Sequence, residues 1–268
     1  MSDYKMPIRP QESNKGTFGK ILNVAGSDNY IGAAYLSTYS ALKVGAGYVA
    51  LATDTNVIKS VSQMLPEAVY MEVPYAYRRL NDFTTILIGC GIGQGFVSKN
   101  NFKFIVNYFK NKETSIVIDA DGLNLLSELH LSLPCNTIIT PHPAEAARLL
   151  VKDIDEVLAD LEDSALELCE KYNCTVVLKT HRTIIADKHN LFINQHGNSA
   201  LAKAGTGDVL AGIIAGLLAQ NCSPFDAAKL GVYLHSRAGE LASEDLTEYS
   251  VMASDILKYL PKAIKEIL

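Results

Sequence analysis

The chain contains no tryptophan, few cysteines and no surplus of basic residues. Its five cysteines, at positions 90, 135, 169, 174 and 222, are odd in number and scattered. That pattern fits reduced thiols and excludes a disulfide framework. No second CxxC-like pair accompanies Cys169 and Cys174, so a structural zinc site is not expected, and the acidic pairs of the chain name no metal site by themselves. With 24 Lys and Arg against 29 Asp and Glu, the formal net charge is −5. The basic footprint of a nucleic-acid or anionic-membrane binder is therefore missing. The longest apolar run, Val209 to Ala219, is too short to cross a bilayer and predicts a buried helix. The N-terminal Met1-Ser-Asp-Tyr-Lys-Met-Pro7 lacks the apolar core of a secretory signal. These absences predict a soluble, cytoplasmic protein with neither nucleic acid nor membrane as partner. Two phosphate-binding signatures are missing too, a Walker-type loop and a Gly-x-Gly-x-x-Gly after the first strand.

What is present is an alternation of strand and helix signals. At 268 residues and 48% hydrophobic content, the chain suits one large α/β domain over 1–268, without internal repeat or long linker. Ile21 to Ala25 reads as a strand ending in Gly26-Ser-Asp28, followed by a helix over Ala33 to Val44 and a strand over Tyr48 to Ala52. Such βαβ units build parallel sheets. Thr85 to Gly89 runs into the turn Cys90-Gly-Ile-Gly-Gln-Gly95, with a helix from about Ser98 to Phe109. Ser115 to Asp119 ends in Ala120-Asp-Gly122 and a helix to about Leu129. Thr137 to Thr140 ends in Pro141-His-Pro-Ala-Glu145 and another helix. Asp155 to Tyr172 reads as one amphipathic helix and Thr175 to Lys179 as a strand. Thr183 to Ala186 with Leu191 to Asn194 reads as an edge hairpin. Phe225 to Ala242 and Ala253 to Ile264 close the chain as packing helices.

Ligands of open α/β sheets bind outside the carboxyl ends of the strands. That edge collects Gly91, Gly93, Asp119, Asp121, Asn124 and His142. The stretch that organises the chain comes later, at Lys203-Ala-Gly-Thr-Gly-Asp208, and leads directly into the apolar helix. A glycine loop entering a helix presents unpaired N–H groups at the positive end, a ready anion site. A carboxylate is out of place beside a polyanion unless it acts as a base for the phosphate's acceptor. Asp208 is therefore read as that base, with helix capping as the plainer alternative.

The late Gly-Thr-Gly-Asp helix resembles the ribokinase-like kinases, in which such an Asp deprotonates a hydroxyl while the helix N-terminus holds the phosphoryl group. Further motifs narrow this: Lys15-Gly-Thr-Phe-Gly19, Tyr30-Ile-Gly-Ala33, Ala41-Leu-Lys-Val-Gly-Ala-Gly47, Val117-Ile-Asp-Ala-Asp-Gly-Leu-Asn124, Thr140-Pro-His-Pro-Ala-Glu145, Asn198 to Gly212, Leu234-His235 and Ala253-Ser-Asp255. Together they resemble the ADP/ATP-dependent NAD(P)H-hydrate dehydratases over nearly the whole chain. The resemblance implies a ribokinase-like three-layer sandwich, with a mostly parallel central sheet flanked by helices and a small edge hairpin. The chain has no room for the epimerase domain that some relatives carry fused.

The activity implied is dehydration of (6S)-hydrated NAD(P)H, with ADP (or ATP) as phosphoryl donor and Mg²⁺ as the cation. Asp208 would be the catalytic base. Lys179, Thr180, His181, Arg182, Thr183, Gly205, Thr206 and Gly207 would hold the nucleotide. Ala41 (or Ala33), Gly91, Asn124, His142, Asn198 and Asp208 would face the hydrated dinucleotide. A homo-oligomer, often a tetramer, is implied as well. Departures from the family pattern include Thr180 for Gly, Cys90 for Pro, Ala144 for Gly and Ala204 for Gly. The alternatives are a small-alcohol kinase of the hydroxymethylpyrimidine or thiazole type, and a nucleotide-binding regulator with a dead site. His235, on an apolar helix, reads as a core histidine.

Overall fold

The computed structural model describes residues 4–268, so only Met1 to Asp3 of the N-terminal segment lie outside the described residues. Strand and helix alternate from β1 (Lys20–Val24), α1 (Ile31–Lys43) and β2 (Tyr48–Thr53) to α2 (Thr55–Val61) and the edge strand β3 (Val69–Glu72). A short helix α3 (Val73–Ala76) and a 3-10 turn (Tyr77–Asp82) lead to β4 (Thr85–Ile88), α4 (Phe96–Phe109), β5 (Ser115–Ile118) and α5 (Asp121–Leu129). Next come β6 (Thr137–Ile139), α6 (Pro143–Leu150), α7 (Ile154–Ala159), α8 (Leu161–Tyr172), β7 (Thr175–Leu178), β8 (Ile184–Ala186) and β9 (Leu191–Ile193). The chain finishes with α9 (Thr206–Ala219), α10 (Pro224–Leu246) and α11 (Ala253–Lys265).

The nine strands form one sheet in the order β3-β2-β1-β4-β5-β6-β7-β8-β9. Pairing is parallel from β3 to β7 and antiparallel through β8 and β9. The expected edge hairpin is therefore present. Alternate strand residues feed two cores, because successive side chains point to opposite faces. Leu51, Leu87, Val117, Ile138 and Val177 pack beneath α1, α9, α10 and α11. Leu22, Ala50, Ile86, Ile116, Ile139 and Val176 pack against α4, α5, α6 and α8 on the other side. This is the expected three-layer sandwich.

One expectation changes, and one unassigned stretch supplies further elements. The helix read as continuous from Asp155 to Tyr172 is two helices, α7 and α8. Asp160 is extended, with φ −146° and ψ 92°, and its carboxylate accepts from the Asp163 N–H at 2.9 Å. A side chain that satisfies a backbone donor locally competes with helix continuation and starts a new one. The stretch from Thr55 to Asp82, which carries no clear signal in sequence, supplies α2, α3 and the edge strand β3.

Nearly every residue of α9 is buried, because helices and sheet surround it. It approaches α1 closely at two glycines one turn apart. A Cβ on Gly212 would lie 1.9 Å from Ser40 Oγ and 2.2 Å from the Ser37 carbonyl oxygen. A Cβ on Gly216 would lie 2.2 Å from Val44 Cγ1. Gly212→Ala should therefore lower stability by about 1–3 kcal/mol through overpacking. Gly32→Ala, on α1 with nothing near its missing Cβ, should leave stability unchanged or raise it. Urea unfolding of the two variants measures both.

Candidate active site

The strand order reverses between β1 and β4, so their carboxyl ends open a crevice. The Ser27 hydroxyl donates to the Gly91 carbonyl at 2.8 Å and the Gly26 N–H donates to the Cys90 carbonyl at 2.8 Å. These bonds pin the two strand ends across the crevice. Its cavity, about 560 Å³, is lined by Tyr30, Ala33, Gly91, Asn124, His142 and Asp208, among others. Gly91, His142 and Asp208 thus line one cleft. A second cavity of about 1010 Å³ is lined by Lys179 to Thr183, Asn198, Lys203, Thr206, Gly207 and His235. His142 borders both, and the start of α9 stands between them.

Gly205, the N-cap of α9, has φ +89°, and a Cβ there would meet Leu36 Cδ1 at 2.6 Å. Glycine is required on both counts. The Thr206 hydroxyl donates to the Leu201 and Lys203 carbonyls, each at 2.8 Å, which locks the turn from below. The N–H groups of Gly207 and Asp208 find no acceptor among the described residues. They form the unpaired positive end that the sequence predicts.

Asp208 is mostly buried, and its carboxyl is pushed up to about 6 by that burial and by the charge of Asp119. Asp119 ends β5 at 1% exposure and receives Lys179 Nζ at 2.7 Å. The Thr140 hydroxyl also donates to Asp119, at 2.7 Å. Lys179 Nζ lies 3.9 Å from Glu145 as well. Burial opposes its charge, yet Asp119 and Glu145 outweigh that and raise its pKa. Between the two acids of the β5–α5 turn, Ala120 has φ 49° and ψ −120°, a strained conformation for a residue with a Cβ. The sharp turn separates their roles. Asp119 faces Lys179, while Asp121 accepts from the Gly93 N–H at 2.9 Å and steadies the glycine turn.

His142 is the N-cap of α6. Its Nδ1 accepts from the Ala144 and Glu145 N–H groups at 3.2 and 3.4 Å, and Glu145 accepts from the His142 N–H at 2.8 Å. This capping box fixes the ring and leaves Nε2 as the protonated nitrogen. Burial, with Lys179 and Arg148 nearby, lowers the His142 pKa and keeps the ring neutral. His142 thus caps α6 and at the same time lines the crevice. Glu145 is buried, and burial pushes its carboxyl up to about 6.

Cys90 is fully buried, with Sγ 3.8 Å from Asp119. Burial and the neighbouring carboxylates push its thiol well up, so it stays protonated. In the β7–β8 loop, Thr180 Oγ1 donates to the Arg182 carbonyl at 2.7 Å and Thr183 Oγ1 to the Thr180 carbonyl at 3.1 Å. Thr180 thus closes the loop where the family pattern has Gly. His235 is buried in α10, and burial pushes it down to about 4, so it is a neutral core histidine that reaches the wall of the larger cavity.

Two expected positions are corrected. Ala41 is fully buried, with its carbonyl against Gly216 of α9, and touches neither cavity; Ala33, two turns earlier on α1, lines the crevice instead. Asn198 lies on the larger cavity rather than the crevice, where it caps a 3-10 turn and donates to Ser243 Oγ at 2.9 Å. Small size marks a candidate in sequence, but which face of α1 it occupies depends on packing against α9. Residues the sequence left without a role are Asp119, Glu145, Cys90 and Arg148. An acid closing an apolar strand was the available signal for Asp119.

The sheet order, the helices on both faces and the glycine turn between two cavities define a ribokinase-like α/β protein. A family model described as NAD(P)H-hydrate dehydratase matches residues 21–262, and the chain belongs to that family. The chain is 36% identical over 243 residues to an ADP-dependent (S)-NAD(P)H-hydrate dehydratase of Neisseria meningitidis, covering 88% of this chain and 81% of that one. It is 33% identical to a bifunctional NAD(P)H-hydrate repair enzyme of Thermofilum pendens, covering 98% of this chain but 53% of that one, so it spans about half of that bifunctional relative. The crystal structure of the ADP/ATP-dependent NAD(P)H-hydrate dehydratase of Bacillus subtilis, co-crystallised with ATP/Mg²⁺, superposes with a TM-score of 0.87. That pair shares 31% identity over 98% of this chain and 95% of the other.

Removing one partner from a buried ion pair strands the other charge. Lys179→Met should lower stability at pH 7 by about 3–5 kcal/mol, with much of the loss recovered in the double variant Lys179→Met/Asp119→Asn. Chemical denaturation of the three proteins measures this.

Proposed function

We propose that this chain catalyses the ADP-dependent dehydration of (6S)-hydrated NADH or NADPH, restoring the reduced dinucleotide and releasing AMP and phosphate. One observation carries the reading: a buried carboxylate and two unpaired amides stand where two cavities meet. One cavity has the size for a nucleotide and hydrogen-bonding side chains in its lining, and the other brings Gly91, Asn124 and His142 to the same carboxylate.

In this reading the nucleotide occupies the cavity of Lys179 to Thr183, Thr206 and Gly207, with its terminal phosphate at the start of α9. Asn198 joins that side. The hydrated ring lies in the crevice against Ala33, Gly91 and His142, with its 6-hydroxyl on Asp208. Hydroxide is a poor leaving group, so the oxygen must first be phosphorylated. Asp208 takes the hydroxyl proton as the oxygen attacks the β-phosphorus of ADP, and AMP departs with the electron pair of the broken P–O bond. The amides of Gly207 and Asp208 hold the phosphoryl oxygens during transfer. The ring nitrogen's lone pair then expels phosphate from carbon 6, and loss of a proton from carbon 5 completes the dihydropyridine. Neutral His142 offers Nε2–H as a donor without adding charge.

Mg²⁺ is expected with the nucleotide. Asp119 and Asp208 bring the oxygen donors a hard cation takes, while the Cys90 thiol is a soft donor it avoids. The site therefore fits Mg²⁺ held chiefly by phosphates, with Asp119 as the protein carboxylate; bound, the ion would neutralise phosphate charge. A cytoplasmic location and a homotetramer belong to the same reading, by analogy with the family. The runner-up is phosphorylation of a small alcohol by the same base.

Incubation with ADP and hydrated NADH should restore NADH absorbance, whereas a kinase would leave a phosphorylated alcohol and no NADH. Asp208→Asn should lower kcat by about 10²- to 10⁴-fold, the contribution of a positioned general base, while nucleotide affinity is largely kept. Equal turnover by that variant would remove Asp208 from the role. The base works only when deprotonated and burial pushes its carboxyl up to about 6. Accordingly, kcat/KM should rise with pH through about 6 and level off above, as read from a pH–rate profile.

A further inference from the structure

The crevice beside Asp208 has a charge imbalance. Asp121, Glu145 and Asp208 line it, and Arg148 is the one permanently cationic side chain among its lining residues. A polyanionic substrate entering a crevice with three carboxylates requires a counter-charge. Lys179 does not supply it, because it lines the other cavity and is committed to Asp119 and Glu145.

Arg148 is placed and free to do so. His142, Glu145 and Arg148 recur every three residues along α6 and so form one ridge. From the cap at His142 to Arg148 the ridge rises about 9 Å. Glu145, the natural partner one turn away, is turned inward instead: it accepts from the His142 N–H at 2.8 Å and faces Lys179 at 3.9 Å. The Arg148 side chain is exposed and its guanidinium makes no hydrogen bond or ion pair with any described residue. Its charge is nonetheless felt within the site, where it helps lower His142 and opposes the rise that burial imposes on Glu145. The end of α6 cannot serve in its place, since the cap is filled by the ring of His142.

We infer that Arg148 is a specificity residue that binds a phosphate of the dinucleotide substrate. Its planar guanidinium grips phosphate through two parallel hydrogen bonds, which an ammonium does not match. With the ring held at Gly91 and Asp208, one ribose separates it from the pyrophosphate, and Arg148 lines the same cavity. The 2′-phosphate of NADPH is the second possible source of the same chemistry. This inference rests on the dinucleotide-repair reading above.

The test compares the wild type with Arg148→Gln and Arg148→Lys, using hydrated NADH and hydrated NADPH with ADP. Direct binding of NADH and NADPH, followed by their own fluorescence, runs alongside. Arg148→Gln should raise KM and Kd for the dinucleotide about tenfold, the size of a charge-assisted contact, and leave KM for ADP unmoved. Arg148→Lys should recover part of the loss, and melting temperatures should match, because no intramolecular partner is removed. A rise for both dinucleotides assigns Arg148 to the pyrophosphate, and a rise confined to NADPH assigns it to the 2′-phosphate. Unchanged KM and Kd for both would overturn the inference. If the wild type restores no NADH from its hydrate, the function reading fails, while the fluorescence titration still judges Arg148.

Discussion

The site depends on one buried cation held among carboxylates. Lys179 Nζ sits 2.7 Å from Asp119 and 3.9 Å from Glu145, and all three side chains are largely removed from water. Without that ammonium, Asp119, Glu145 and Asp208 would crowd like charges in a medium that screens them poorly. With it, Asp119 and Glu145 have a counter-ion and Asp208 is left as the carboxyl with no cationic partner. Burial, and then the charge of Asp119, raise its pKa, which would suit a base that exchanges a proton near neutrality.

The surrounding elements serve that arrangement from different directions. The strained Ala120 turn sends Asp119 inward and Asp121 to the glycine turn. The capping box of α6 gives His142 and Glu145 structural work, and their free faces then point at the crevice. The glycine entry to α9 leaves two amides unpaired. Close contact between α1 and α9 at Gly212 and Gly216 holds that entry at a fixed depth below the strand ends. Site geometry is thus an outcome of backbone packing as much as of the side chains that line it.

Local chemistry made much of this legible in the amino-acid order. Apolar runs ending in Gly, Asp or His located the carboxyl ends of β1, β4, β5 and β6, and the apolar stretch after Asp208 announced a buried helix. The edge hairpin followed from its two short alternating runs. Where a polar side chain bonds to nearby backbone, as Asp160 does, periodicity continued straight through a real break. The edge strand β3 escaped notice because its burial is partial and its pattern weak.

By itself, the sequence determined the α/β architecture, the glycine turn with its embedded acid, and most of the residues that line the two cavities. Those features are local, written in periodicity, glycine placement and the ends of apolar runs. Only the tertiary structure decided that Ala41 lies in the core while Ala33 meets the crevice, that Asn198 belongs to the larger cavity, and that Lys179 is spent on Asp119 while Arg148 is left free. Each of those depends on which face of an element packs inward and on charges brought together from positions as far apart as 119, 145, 179 and 208, relations that no spacing along the chain encodes.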